Sequence, residues 1–395
     1  MQRNRRQHSW AAIAASTFVN LPFGSLYAYS VFLRPMEQLF GAARSELSAM
    51  FALATISFTL GMNLAPRLFR LAPAPVLVAF CAISSALGLA LAASATSLPL
   101  LMVGYGVLFG LGGGIAYIVV QQGVNMMVRS RKGLVNGYVV GLYPAGAMIA
   151  APLFGWAIGM WGLRFTLAGL GATLAVCGMI SVWLVVHAGV RLHAETAEAP
   201  EPGSPGRVTI FWQIWIVFFL AAAAGLTVLS QAAGIIVAYG GSTALALFAT
   251  TAITGAIAAA RLGGGWLVDR LSVPIVMAGA HGLALAGTVV LTAWPDPLVS
   301  AVTLAMIGMG YGFVSGSTAA AVACYWPSQS YGRIASRIYI AWCLAAVTLP
   351  VLAGHLFDVT GGYGAIVVIA GCGNVLGIAI ALTLPRQSKL AVAAA

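Results

Sequence analysis

Arg261 is the residue whose position most needs a chemical explanation. It lies inside an apolar run at 243–267, eight residues before Asp269. If the run is a helix crossing a bilayer, a rise of about 1.5 Å per residue carries Arg261 about 12 Å inward of that aspartate. The hydrocarbon half-thickness is about 15 Å, so the guanidinium lies too deep to reach the interface easily. A charge at that depth costs a few kcal/mol on insertion scales. No acidic residue shares the depth: Glu37, Glu46, Glu195, Glu198, Glu201, Asp269, Asp296 and Asp358 all fall in loops or at helix ends. A guanidinium facing a water-filled cavity would match the two oxygens of a carboxylate on a small anion. The competing reading is an arginine satisfied by the backbone carbonyls of a helix bundle.

Uncharged donors accompany it. Tyr27 lies in the first apolar run, Tyr117 and Gln121 in the fourth, and Tyr339 and Trp342 in the eleventh. Such groups donate to an anion without adding charge. Taken alone, such a residue more often makes an interhelical hydrogen bond or an interface anchor. The same holds for Asn20, Tyr29, Gln122, Tyr143, Gln231 and Tyr311. Arg337 lies near the start of the eleventh run, where it can snorkel or hold a gate. His281, in the ninth run, reads as a hydrogen-bonded structural histidine. The five histidines share no ligand spacing, so no metal site is expected. The glycines at 110–114 lack the strand and helix of a phosphate loop, and no cofactor motif is found. Five cysteines without paired spacing read as reduced, buried small hydrophobes.

The elements that must hold these residues follow from composition. Of 395 residues, 61% are apolar and only 7% charged, against about 25% charged in soluble domains. Mean hydropathy is +0.97. A soluble enzyme and a disordered chain are both excluded. The net charge of +11 sits in short clusters at the ends of apolar runs, which is a membrane pattern and not a nucleic-acid groove. Twelve helical spans are expected, at roughly 10–33, 46–66, 74–93, 98–122, 134–158, 164–187, 211–238, 243–267, 274–293, 297–323, 335–357 and 363–384. The polar stretch 188–210 divides them into halves at 1–187 and 211–395 as a flexible linker. With the N-terminus inside, 14 of the 19 basic residues fall on the cytoplasmic side, against Arg34, Arg44 and Arg164 outside. That asymmetry predicts cytoplasmic termini. The compact, loop-poor build points to a cell inner (plasma) membrane, and the lack of a small-residue cleavage site after the first apolar run to no removable signal peptide. A monomer embedded in the lipid bilayer is the default state.

The halves repeat. Met102, Gly104, Gly106, Phe109 and Gly112 match Met306, Gly308, Gly310, Phe313 and Gly316 at an offset of 204. Gly133, Gly155 and Gly162 match Gly332, Gly354 and Gly361 at an offset of 199. Two parallel six-helix units joined by a linker are the plan of a transporter that binds its substrate near the bilayer midplane.

The stretches 24–51, 110–120, 131–137, 260–271, 331–342 and 352–364 together resemble the oxalate/formate exchanger and monocarboxylate transporter branch of the major facilitator superfamily. The resemblance covers nearly the whole chain. It implies an all-α integral membrane protein with twelve transmembrane helices in two pseudo-symmetric halves. It implies a secondary transporter, not an enzyme, for small carboxylates, working by proton symport or by exchange. In that family the arginine at the place of Arg261 binds the substrate carboxylate. Asp269 and Arg270 fall in the superfamily's loop signature at 264–270, which implies gating. The counterpart at 65–70 has Pro66 where an aspartate is usual, so the first half's gate should be built differently. Animal members place an aspartate at the position of Ile257 and a lysine in the first span, and this chain has neither. Oxalate exchangers carry a lysine where Trp342 stands, which favours one carboxylate with an uncharged remainder. The alternatives are a carrier for a neutral or lipophilic solute such as a vitamin, nutrient or drug, and a transporter-like sensor.

Overall fold

The structure is a computed structural model and describes residues 2–192 and 205–386. His193, Glu195, Glu198, Glu201 and Lys389 lie outside those residues, as does 193–204 of the expected linker. The described chain has no strand. Its helices are α1 (Gln2–Phe23), α2 (Ser30–Phe40), α3 (Arg44–Leu68), α4 (Ala74–Ser94), α5 (Leu98–Met127), α6 (Lys132–Ala188), α7 (Pro205–Ala238), α8 (Thr243–Val268), α9 (Val273–Ala293), α10 (Pro297–Tyr325), α11 (Tyr331–Thr360) and α12 (Gly364–Leu382). Among the described residues eleven helices are long and apolar enough to cross a membrane. The 57-residue α6 is broken at Gly162, where φ is 81° and ψ 171°, so it supplies two crossings and the described residues twelve.

Two expected boundaries shift. The first span is not one helix: after Pro22, residues Gly24–Ala28 tighten into a 3₁₀ turn that carries Tyr27. The expected linker also ends early. Helix α7 begins at Pro205, where a proline suits the first helical turn because its missing N–H would have no partner there. Within α5, Met102–Phe109 widen into a π-helix.

The chain gathers into two compact units. The first comprises Met1–Ser130, Leu142–Ala199 and Ser328–Arg337; the second comprises Arg131–Gly141, Pro200–Pro327 and Ile338–Ala395. Segment 131–141 therefore clusters with the second unit, and 328–337 with the first. Under the repeat's offset of 199, 131–141 maps onto 330–340 and so overlaps 328–337.

In the first unit α5 is central and packs on α1, α3 and α4. In the second α10 is central and packs on α7, α8 and α9, with α12 against α7 and α9. Lipid is as apolar as leucine, so close backbone approach does much of the work of holding membrane helices together. Several of the repeated glycines make close approaches. Gly104 meets the Gly88 carbonyl, Gly112 meets Ser85, Gly310 meets the Ala280 carbonyl and Gly316 meets the Arg261 carbonyl. Gly162 and Gly361 have a different reason. Their φ values are 81° and 71°, a region that glycine enters without strain.

His281 is buried as expected, bonded to Asn374 Oδ1 at 2.8 Å and the Val217 carbonyl at 3.2 Å. No two cysteines are bridged, but only Cys81 and Cys343 are buried; Cys324 and Cys372 are exposed. An apolar surface is acceptable to a thiol in lipid, so a hydrophobic flank does not imply an interior position.

Candidate functional site

Helix α8 carries Arg261 into the second unit, where the side chain is 3% exposed. Its Nη1 donates to the Val140 carbonyl at 3.1 Å. Its Nη2 donates to the Tyr311 hydroxyl at 2.8 Å, and the guanidinium carbon lies 5.2 Å from the centre of that ring. Tyr311 thus offers both its oxygen and its π-face. The backbone around Arg261 is hemmed by glycine. A Cβ on Gly316 of α10 would strike the Arg261 carbonyl, and one on Gly137 of α6 would stand 2.6 Å from it.

The start of α6 forms a seam with α8. Gly133, Gly137 and Gly141, each four apart, turn one helix face toward Gly265, Arg261 and Ala258. The seam ends at Asp269. One carboxylate oxygen accepts from Gly133 N and the other from Leu134 N, both at 2.8 Å. An anion at a helix N-terminus satisfies otherwise orphaned amides and opposes the helix dipole. The neighbouring Arg270 is exposed and stacks 3.8 Å above the Trp266 ring.

The first unit has a counterpart built from other residues. Gln122 of α5 is fully buried. Its Oε1 accepts from Gly332 N at 2.8 Å, and its Nε2 donates to the Ser328 carbonyl at 3.0 Å. Gly332 is the repeat partner of Gly133. The same backbone position is therefore held in both units, by a carboxylate in one and by an amide in the other. Beside this tie, Asn63 of α3 donates to the Ser336 carbonyl at 3.1 Å.

Three of the expected polar liners come together in the first unit. The Tyr27 and Tyr117 rings lie 6.1 Å and 5.2 Å from Tyr143, with Phe58 completing the cluster. Gln121 reaches the Tyr117 hydroxyl at 3.4 Å. The Tyr143 hydroxyl and both ends of the Asn20 amide are buried and find no hydrogen-bond partner among the described residues. Tyr339 and Trp342, three apart on α11, are buried in the second unit, with Tyr339 edge-on to Phe218 at 5.8 Å. Arg337 is exposed at the edge of a cavity in the first unit. Sequence reasoning singled out Arg261 and Asp269 and named Tyr311 and Gln122 among the polar residues, but it paired neither Tyr311 nor Val140 with Arg261, nor Gln122 with Gly332. The signal for Gln122 was available in Pro66: a missing aspartate requires another acceptor for the Gly332 amide.

Helical halves with repeat-related glycines and a buried cation in a helix define a membrane carrier. A model of the Major Facilitator Superfamily matches residues 13–350. The chain belongs to that superfamily and is a transporter, not an enzyme. Monocarboxylate transporter 13 of Bos taurus is 27% identical over 401 residues, covering 95% of this chain and 89% of that protein. The probable nitrate/nitrite transporter NarK2 of Mycobacterium tuberculosis (strain ATCC 25618 / H37Rv) is 25% identical over 261 residues, covering 65% and 66% of the two. The proton:xylose symporter XylE, solved with 6-bromo-6-deoxy-D-glucose, shares the fold with a TM-score of 0.75 at 16% identity, covering 97% of each chain.

Proposed function

We propose that the protein moves a small organic anion, first of all a monocarboxylate, across the membrane by alternating access, as a proton symporter or an exchanger. The observation that carries this reading is the buried guanidinium of Arg261, whose terminal nitrogens donate to two neutral acceptors. A carboxylate forms charge-assisted bonds about twice as strong as neutral ones. It can therefore displace the Val140 carbonyl once segment 131–141 leaves the seam. Tyr311 stays as the second anchor. Relatives named for monocarboxylate and for nitrate/nitrite support an anion. Asp269, Arg270 and Arg337 serve the gate, and Tyr27, Tyr117, Gln121, Tyr339 and Trp342 receive the uncharged remainder of the substrate. The protein sits in a plasma membrane with both termini cytoplasmic and works as a monomer.

The test is uptake into proteoliposomes over a panel of lactate, pyruvate, formate, acetate, oxalate and nitrate. Thermal shifts of purified protein with the same compounds accompany it. A ligand at 100 times its dissociation constant adds about 2.7 kcal/mol to the folded state. Arg261→Gln abolishes both uptake and shift. Arg261→Lys keeps the charge but loses the fork, and reduces both by about tenfold or more, or about 1.4 kcal/mol. Normal uptake by Arg261→Gln would make this arginine structural. A second reading, a neutral solute, rests on the uncharged tyrosine cluster of the first unit. Its mark is a shift with a neutral compound that survives Arg261→Gln.

A further inference from the structure

The two helix-start ties differ in their surroundings. In the second unit the protein supplies its own anion, Asp269. In the first unit the tie is the neutral Gln122, and beside it opens a cavity of about 620 Å³. Leu60, Asn63, Leu64, Arg67 and Arg70 line one side, and Gln329, Arg333, Ser336 and Arg337 line the other. Four of the lining residues are arginines and none is acidic. The volume lies within the usual range of ligand pockets, about 300–1,000 Å³. Four arginines around one cavity, with no acidic residue in its lining, are matched by an anion with several oxygens, and phosphate fits the guanidinium fork as carboxylate does.

We propose that this cavity binds a phosphate-bearing anion, and that its occupant is the headgroup of an anionic phospholipid. Leu60 and Leu64 decide between a lipid and a free ion. They are 57% and 38% exposed, and they precede Arg67 at helical spacings of seven and three. They extend one face of α3 from the arginines into the apolar zone. An acyl chain needs that track and a free phosphate does not. On the positive-inside reading this end of α3 faces the cytoplasmic leaflet, whose anionic lipids attract basic pockets between helices. The bound headgroup does in the first unit what Asp269 does in the second: it puts negative charge beside a helix start. The inference does not depend on which substrate is carried.

The experiment uses the full chain, delipidated in detergent. Thermal midpoints are followed while dihexanoyl phosphatidylglycerol, dihexanoyl phosphatidylcholine or inorganic phosphate is titrated in. The expected result is stabilisation by phosphatidylglycerol with an apparent affinity about tenfold or more above that of phosphatidylcholine, and no comparable effect of millimolar phosphate. The doubles Arg67→Gln/Arg70→Gln and Arg333→Gln/Arg337→Gln each weaken it about tenfold or more. Arg67→Lys/Arg70→Lys keeps most of the effect, which separates lost charge from lost folding. Arg129→Gln, a basic residue outside the cavity, changes nothing. Equal loss in Arg129→Gln would mean generic attraction and overturn the site. Retention in both doubles would overturn it as well. Stabilisation by phosphate alone, as strong as by phosphatidylglycerol, would overturn the lipid assignment in favour of a free anion.

Discussion

Asp269 presents two oxygens to the Gly133 and Leu134 amides, and those amides are the positive end of α6. Losing such a cap costs about 1 kcal/mol. Asp269→Ala therefore lowers the thermal midpoint, and Asp269→Asn, which keeps one acceptor oxygen, lowers it less. Equal midpoints for the alanine variant and the parent would show that the cap is incidental. Gln122 offers a sharper test because it both accepts and donates. Gln122→Glu retains the bond from Gly332 but cannot donate to the Ser328 carbonyl. It loses the bond to the Ser328 carbonyl, at about 0.5–1.5 kcal/mol. Gln122→Met, of similar length, loses both bonds and is expected to fall further in midpoint; a midpoint at or above that of Gln122→Glu would contradict the paired tie. At this scale Arg261 was legible, because a charge in an apolar run stands out in any sequence. Its pairing with Tyr311 and Val140 was not, although Tyr311 stood among the polar residues named. A tyrosine in a glycine-rich run has many uses, and a backbone carbonyl has no side-chain signature at all.

Helix α6 begins with glycines at 133, 137 and 141 and continues past a glycine at 155, yet their environments are opposite. The first two press on the Gly265 and Arg261 carbonyls, while Gly155 has open space around it. Gly137→Val pushes the start of α6 off α8 and removes the Val140 carbonyl from Arg261. Gly155→Val adds a side chain to an exposed face and costs little. Uptake should fall sharply in the first variant and persist in the second; equal behaviour would remove the seam from the transport cycle. The spacing of these glycines is plain in the sequence. Which of them is a contact and which only a permissive surface position is not, since both favour small residues in lipid. The break at Gly162 was legible for a clearer reason: a span cannot run 57 residues through a bilayer, so the chain had to turn near there.

Across the molecule, twelve crossings and a doubled glycine pattern are written in the sequence because hydropathy and repetition are properties of runs, not of contacts. The membership of 131–141 and 328–337 in compact units depends on contacts and was not readable. Charge asymmetry is again a property of the whole chain, and it makes the last prediction. Fourteen basic residues fall on one side and three on the other, and basic loops resist translocation. Ser97, in the short connection between α4 and α5, should then face outside, and Ser130, between α5 and α6, should face the cytoplasm. Both are exposed, so each can be read as a single cysteine in a background lacking the native five. A membrane-impermeant maleimide applied to intact cells labels Ser97→Cys at once and Ser130→Cys only after permeabilisation. The reverse pattern would put the Asp269 tie and the arginine cavity at the outer surface. Segment 131–141 would then open toward the outside, and the cytoplasmic leaflet could not supply the anion proposed for the arginine cavity.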